Sequence, residues 1–206
     1  LPRVMLNFGT GRKIPLTISS PATYASGTQH IYGIWDSDMA AWNALNSSLY
    51  DSLSTPPTSI PLANLEQQTL TYNSTTGVLD GSSNAVCWAD LSTCTSTKQY
   101  GWYIALPGTS EQVIYSPIVY ADAFIVNTTV PPNDSPLSCA SATETGNTVV
   151  VSVSTGGVIK NVFPQYSDTN AAGGATNGVG TPFVVLAGGI AHIVTQTVGG
   201  GGSGSS

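Results

Sequence analysis

The stretch "YSPIVYADAFIVNTTV" (residues 115–130) opens with Ser–Pro, runs through β-branched and aromatic residues, halts at Ala121 and Asp122, and runs again into Thr and Val. A run, a tight stop and a second run read as two antiparallel strands joined by a short connector. The same plan returns in "GTPFVVLAGGIAHIVTQTV" (residues 180–198), with Thr181–Pro182 in the place of Ser116–Pro117 and a Gly–Gly connector. Proline at the first strand position costs no ladder hydrogen bond where that edge is unpaired. Repeated antiparallel units of this kind point to the blades of a β-propeller.

Working outward, further strand-like runs are "RVMLNF" (3–8), "HIYGIW" (30–35), "QQTLTYN" (67–73), "YGWYIAL" (100–106), "EQVIYSPIVY" (111–120), "TVVVSVS" (148–154) and "GVIKNVF" (157–163). Gly, Pro, Asn or Asp punctuates them, and "STGG" at 154–157 reads as another connector. One helix is expected, over "DSDMAAWNALNSSLYDSL" (36–53). Met39, Trp42, Leu45, Leu49 and Leu53 fall there at spacings of three and four, acidic residues precede them, and "STPPTSIP" (54–61) ends the pattern. The expected fold class is all-β, part of a β-propeller built from antiparallel blades, with that one helix in an insertion. Residues 1–198 are assigned to the propeller portion, and the Gly/Ser-rich 199–206 is expected to be a flexible tail.

Charged residues make up 8% of the chain, far below the roughly 25% of ordinary domains. Polar surface must therefore come from Ser, Thr, Asn and Gln, which fits an exported or cell-surface β-protein. The net charge of −6 and five basic residues disfavour a nucleic-acid or anionic-lipid footprint. No apolar run reaches the roughly 18 residues of a membrane span. The opening "LPRVML" has neither an initiator Met nor a signal-peptide pattern, so the chain reads as an excised piece of a longer protein. Cys87 and Cys94 enclose "WADLST", a spacing that suits a disulfide; two buried thiols are the alternative, and the low charge favours the bridge. Cys139 has no evident partner.

The chemistry-bearing motifs come out nearly empty. "NFGTGRK" (7–13) lacks the third glycine of a dinucleotide loop, since Ile14 and Pro15 stand there, and it lacks P-loop spacing. Its glycines, Gly9 and Gly11, read instead as a strand end needing positive φ or close approach. "DGSSNAVCWAD" (80–90) puts Asp80, Ser82 and Asn84 at alternate positions but has Ala85 where a calcium loop needs Gly and Leu91 where it needs Glu. No Gly–x–Ser–x–Gly occurs, and His30 and His192 default to structural roles. Glu66, Glu111 and Glu144 show no glycosidase pairing by sequence. Trp35, Trp88, Trp102 and Tyr103 are expected in strands as core. No catalytic, cofactor-binding or metal-ligating residue is assigned.

Taken as a set, "NFGTGR" (7–12), "HIYGIWDSD" (30–38), "YGWYIALPGTSEQVIYSPIVY" (100–120), "IVNTTVPPNDSPLSC" (125–139), "TVVVSVSTGG" (148–157) and "NGVGTPFVV" (177–185) resemble the C-terminal β-propeller region of type IV pilus tip-associated adhesins, the PilY-like family. The resemblance implies a modified quinoprotein-like propeller without enzyme chemistry. It implies export through the periplasm to the pilus tip, with minor pilins and a host or abiotic surface as partners and the rest of the same propeller as neighbour. It also implies roles in pilus assembly, retraction control and attachment. The family's calcium loop lies upstream of the "FGTGR" segment, so calcium ligands are expected outside this chain and none is carried over.

The 36–61 insertion and the Cys87–Cys94 loop depart from the family pattern and are expected to be local recognition features. At about 45–65 residues a blade the chain holds about three or four blades, so the ring is expected to be completed by upstream sequence or another chain. Two rival classes stand beside this reading. One is a periplasmic quinoprotein-like dehydrogenase, which a quinone absorption test would reveal. The other is a eukaryotic secreted sandwich domain binding carbohydrate or protein, which would carry the sequons at Asn46, Asn73 and Asn127, although a chain this rich in Ser and Thr is expected to contain such sequons by chance.

Overall fold

The computed structural model describes residues 3–15, 17, 20, 22–37, 59–89, 91, 93–132, 143–165, 170–197 and 202–205. The expected helix over 36–53 lies outside them apart from Asp36 and Ser37, as do Asn46 and Cys139.

Three sheets and a short ribbon carry the chain. The first sheet runs in the order β1 (Met5–Gly9), β4 (His30–Trp35), β8 (Gly101–Ala105), β5 (Glu66–Gln68). The second has six strands: β6 (Leu70–Asn73), β7 (Val78–Gly81), β12 (Ala171–Gly174), β11 (Thr148–Ser152), β10 (Ala123–Asn127) and β9 (Ile118–Tyr120). The third is β13 (Gly178–Ala187), β14 (Ile190–Thr197) and β15 (Gly202–Ser205). The ribbon pairs β2 (Lys13–Ile14) with β3 (Thr23–Tyr24). Among these pairings only β5 with β8 is parallel.

The second sheet is the middle layer, and period-two geometry explains why its strands read as continuous apolar runs. Phe124 and Val126 of β10, with Val149 and Val151 of β11, face a core shared with Ile31, Trp102 and Ile104 of the first sheet. The intervening Ile125 and Val150 face the opposite way, into a smaller core with Ile193 and Val184 of the third sheet. Register makes this consistent, since Phe124 pairs with Val151, Ile125 with Val150 and Val126 with Val149. Face-to-face stacking of antiparallel sheets is how successive propeller blades bury their surfaces.

Both halves of the sequence repeat fold as hairpins. β9 and β10 turn at Ala121 (φ 50°), and β13 and β14 turn at Gly188 (φ 59°) and Gly189 (φ 81°). Positive φ at both central residues matches the twist of the flanking strands, which is why the second turn is Gly–Gly. The two hairpins meet through Asn127, whose fully buried Nδ2 donates to the Gly180 carbonyl (3.0 Å) and to Thr195 Oγ1 (2.8 Å).

Several sequence expectations need correction. "QQTLTYN" is not one strand: it breaks at Thr69, so β5 joins the first sheet and β6 the second. Of "EQVIYSPIVY" only Ile118–Tyr120 pairs as a strand, while Gln112 forms an isolated bridge with Thr129. "GVIKNVF" contributes a single bridge, Val158 with Val151, before the chain turns away to seat Phe163 in the smaller core. Within the tail, Gly202–Ser205 pair with β14 as an added strand, because β14 offers an unpaired edge and glycine fits any edge register.

Candidate functional site

The "NFGTGR" segment makes its corner by close approach. A β-carbon at Gly9 would stand 2.4 Å from Val113 Cγ2, and one at Gly11 would stand 2.3 Å from the Val113 carbonyl oxygen. Thr10 is clamped from both sides: its N–H donates to the His30 carbonyl (2.8 Å), its carbonyl accepts from Val113 N–H (2.9 Å), and its Oγ1 accepts from His30 N–H (2.8 Å). Beside it, the fully buried Gln112 accepts at Oε1 from the backbone N–H of Arg12 (2.9 Å) and Ala25 (3.2 Å) and donates from Nε2 to the Ser110 carbonyl (3.0 Å). The sequence therefore places two distant segments together, 7–12 and 110–113.

The same turn buries a carboxylate. Gly108 to Glu111 forms a tight turn closed by Glu111 N–H on the Gly108 carbonyl (3.1 Å), with Ser110 at φ 55°. Glu111 reaches back so that Oε2 accepts from Gly108 N–H (2.8 Å), the reciprocal half of a capping-box arrangement. Its Oε1 accepts from Thr128 Oγ1 (2.5 Å) and Asn147 Nδ2 (2.8 Å). The residue is 1% exposed. It forms the floor of a cleft of about 390 Å³ lined further by Tyr72, Pro107, Val130, Thr145 and Asn177. Glu111, expected at the start of the strand-like run 111–120, instead turns inward, and the Gly–x–x–Glu spacing is the sequence signal for that turn.

A second carboxylate anchors the ribbon. Glu144 forms an ion pair with Lys13 and accepts from Tyr24 OH (2.5 Å). Burial pushes Glu144 upward, but the Lys13 and Tyr24 hydrogen bonds, the Lys13 charge and a Tyr115 hydrogen bond outweigh it and hold the carboxyl below its usual range. Burial, then the hydrogen bond and charge of Glu144, push the Tyr24 phenol up. Glu66 pairs with Lys98 at 3.4 Å, so the three glutamates occupy three separate environments.

The outer face of the first sheet carries an aromatic ladder. Phe8 stacks on Tyr32 (5.3 Å between centroids), Tyr32 on Tyr103 (6.4 Å), and His30 leans on both tyrosines. Tyr103, expected as core, thus lies on this face, whereas Trp102 is fully buried. Cys87 and Cys94 are bridged, with their Cα atoms 5.4 Å apart. The loop they close is rooted rather than free-standing. Trp88 packs edge-on to Trp35 (6.1 Å), and the Arg3 guanidinium lies 4.9 Å from the Trp88 ring centre. Leu91, at the loop's far side, is exposed.

His192 of β14 pairs with Val185 of β13 in the third sheet, remote in the topology from His30 in the first. Ser82 Oγ donates to Gln68 and Asn84 Nδ2 to the Gln67 carbonyl, so these two members of the Asp80–Ser82–Asn84 series are spent on structure. Among the described residues no group of three or more His, Cys, Asp or Glu could hold a metal ion, and no helix is long and apolar enough to cross a membrane.

No protein-family model matches the chain, and no curated protein does. Among solved structures, the chain is similar to the C-terminal domain of Pseudomonas aeruginosa PilY1. The TM-score is 0.54 with 24% identity, over 82% of this chain and 35% of that one. The chain therefore spans about a third of that domain's length and shares its β-propeller-like fold, the fold class expected from the sequence.

Proposed function

We propose that the chain is part of a non-enzymatic, type IV pilus-associated adhesin, exported through the periplasm and acting at the pilus tip with minor pilins and a contacted surface. The observation that carries this reading is the fold likeness to the PilY1 C-terminal domain over 82% of the chain. Two features support it. The segments that resemble the PilY-like family, 7–12 and 100–120, interlock through Thr10, Gln112 and Val113. The Cys87–Cys94 disulfide fits an exported protein. The loop it closes is the recognition feature: Trp88 and Val86 root it in the core while Leu91 is exposed.

The test is made in the organism of origin. Antibody against this chain is expected to label pilus tips, and deleting the coding region is expected to lower surface piliation and attachment. Unchanged piliation and attachment, with no tip label, would overturn the reading. Exchanging residues 89–93 for a Gly/Ser loop should reduce attachment alone and leave piliation intact.

A further inference from the structure

We infer that the cleft above Glu111 receives a single cationic side chain, a lysine ammonium or an arginine guanidinium, presented by a partner protein. Glu111 is the floor of that cleft and is 1% exposed, so its carboxylate is held in low dielectric. Three donors point at it, from Gly108, Thr128 and Asn147, and all three are neutral. Both carboxyl oxygens act as acceptors, Oε2 from Gly108 and Oε1 from Thr128 and Asn147. A carboxylate offers about four acceptor sites; three are taken, and Oε2 holds the remaining one.

The chain does not supply the countercharge. Its five basic residues all lie among the described residues. Lys13 pairs with Glu144, Lys98 with Glu66, and Arg3 lies over Trp35 and Trp88. No salt bridge among the described residues joins any of the five to Glu111. A buried charge is ordinarily paired, and the unmatched partner here must come from outside.

The walls suit a long basic side chain. Pro107 and Val130 offer apolar surface for the methylene stem, and the 45%-exposed Tyr72 offers an aromatic face to the charged head. At about 390 Å³ the cleft falls in the range of formed ligand pockets. A hydroxyl ligand would use the spare acceptor but leave the charge unmatched, so a cation is the better complement. The chain's net charge of −6 favours the approach of a basic partner as well. The cleft would take such a group whether or not the chain sits on a pilus.

The experiment is an NMR titration of the ¹⁵N-labelled 206-residue chain with three probes: N-acetyl-lysine-N-methylamide, its arginine counterpart, and the neutral norleucine counterpart. The cationic probes are expected to give saturable shifts at the amides of Gly108, Gly146 and Asn147, weakened by added salt. The norleucine probe should bind at least about tenfold more weakly. Glu111→Gln should lose about tenfold in affinity for the lysine probe. Because that change sets an amide N–H among three donors and endangers the fold, Tyr72→Ala serves as a second variant. It is exposed, leaves the Glu111 network untouched, and should weaken both cationic probes. Equal binding of the norleucine probe, shifts confined to other parts of the chain, or undiminished lysine binding in either folded variant would overturn the assignment.

Discussion

A β-carbon at Gly33 would stand 2.3 Å from Cε2 of Trp102, its partner across β4 and β8. The absence of that carbon is what lets Trp102, the largest fully buried side chain among the described residues, lie down between the first two sheets. Gly156 does the same at Cδ2 of the same indole, also at 2.3 Å, and the ring nitrogen donates to the Val153 carbonyl at 3.1 Å. Gly33→Ala is therefore expected to destabilise by about 1–3 kcal/mol through overpacking. Gly156→Ala should cost more, since Gly156 also sits at φ 68°. Gly27→Ala is the control, with φ 76° but nothing within 4 Å. The difference between the last two, read from urea unfolding midpoints, isolates the packing part.

The Glu144 cluster sets an acid and an alkaline limit. Glu144 is depressed in the folded state, so its contribution is present above its ordinary value of 4.5 and is lost as pH falls through the lower folded value. Tyr24 is raised, so its contribution is intact below its ordinary value of 10.0 and declines as pH rises past it. Unfolding midpoints of the parent and of Glu144→Gln should differ between these limits and converge as pH falls below the lowered folded value. A constant difference down to pH 2 would refute the role given to this carboxyl.

Reducing the Cys87–Cys94 bridge should lower stability by about 2–3 kcal/mol, the chain-entropy value for so short a loop. The fold should persist, because Trp88 is held independently by Trp35 and Arg3. Urea curves with and without reductant, followed by tryptophan fluorescence, test both parts. Complete unfolding in reductant alone would contradict the second.

The sequon at Asn127 is closed to glycosylation, whereas Asn73, exposed at the end of β6, is open to it. Expression through a eukaryotic secretory route followed by glycopeptide mass spectrometry should find sugar at Asn73 and none at Asn127. Asn127→Asp should cost about 2 kcal/mol or more, since it removes the donor to Gly180 and Thr195 and turns a carboxylate toward a carbonyl.

Where side chains carried the signal, the sequence was readable. β4 occupies the very residues expected, 30–35, and both repeat hairpins turn where Ala121–Asp122 and Gly188–Gly189 lie. Where backbone carried it, the sequence was silent. β12 is Ala–Ala–Gly–Gly, with no β-forming residue, yet it is wholly buried because Gly173 must pass close to the Thr148 carbonyl. β7 was missed for a related reason, as "VLDG" is too short to show a period. The Glu111 cleft was hidden because it joins the 108–111 turn, the end of β10 and residues 145–147, which nothing local connects.

The pairing of β7 with β12 has a consequence for how the chain comes together. Asp80 lies opposite Ala171, about ninety residues further on. The middle sheet cannot close until Ala171 has emerged, and the first sheet likewise waits for β8 to arrive between β4 and β5. Such distant pairing slows folding, because the entropy of closing long loops is lost before the contacts reward it. A protein wired this way stays open while it is being made. On the proposed reading of the chain as an exported protein, late closure would keep it in a form that can still be threaded across a membrane.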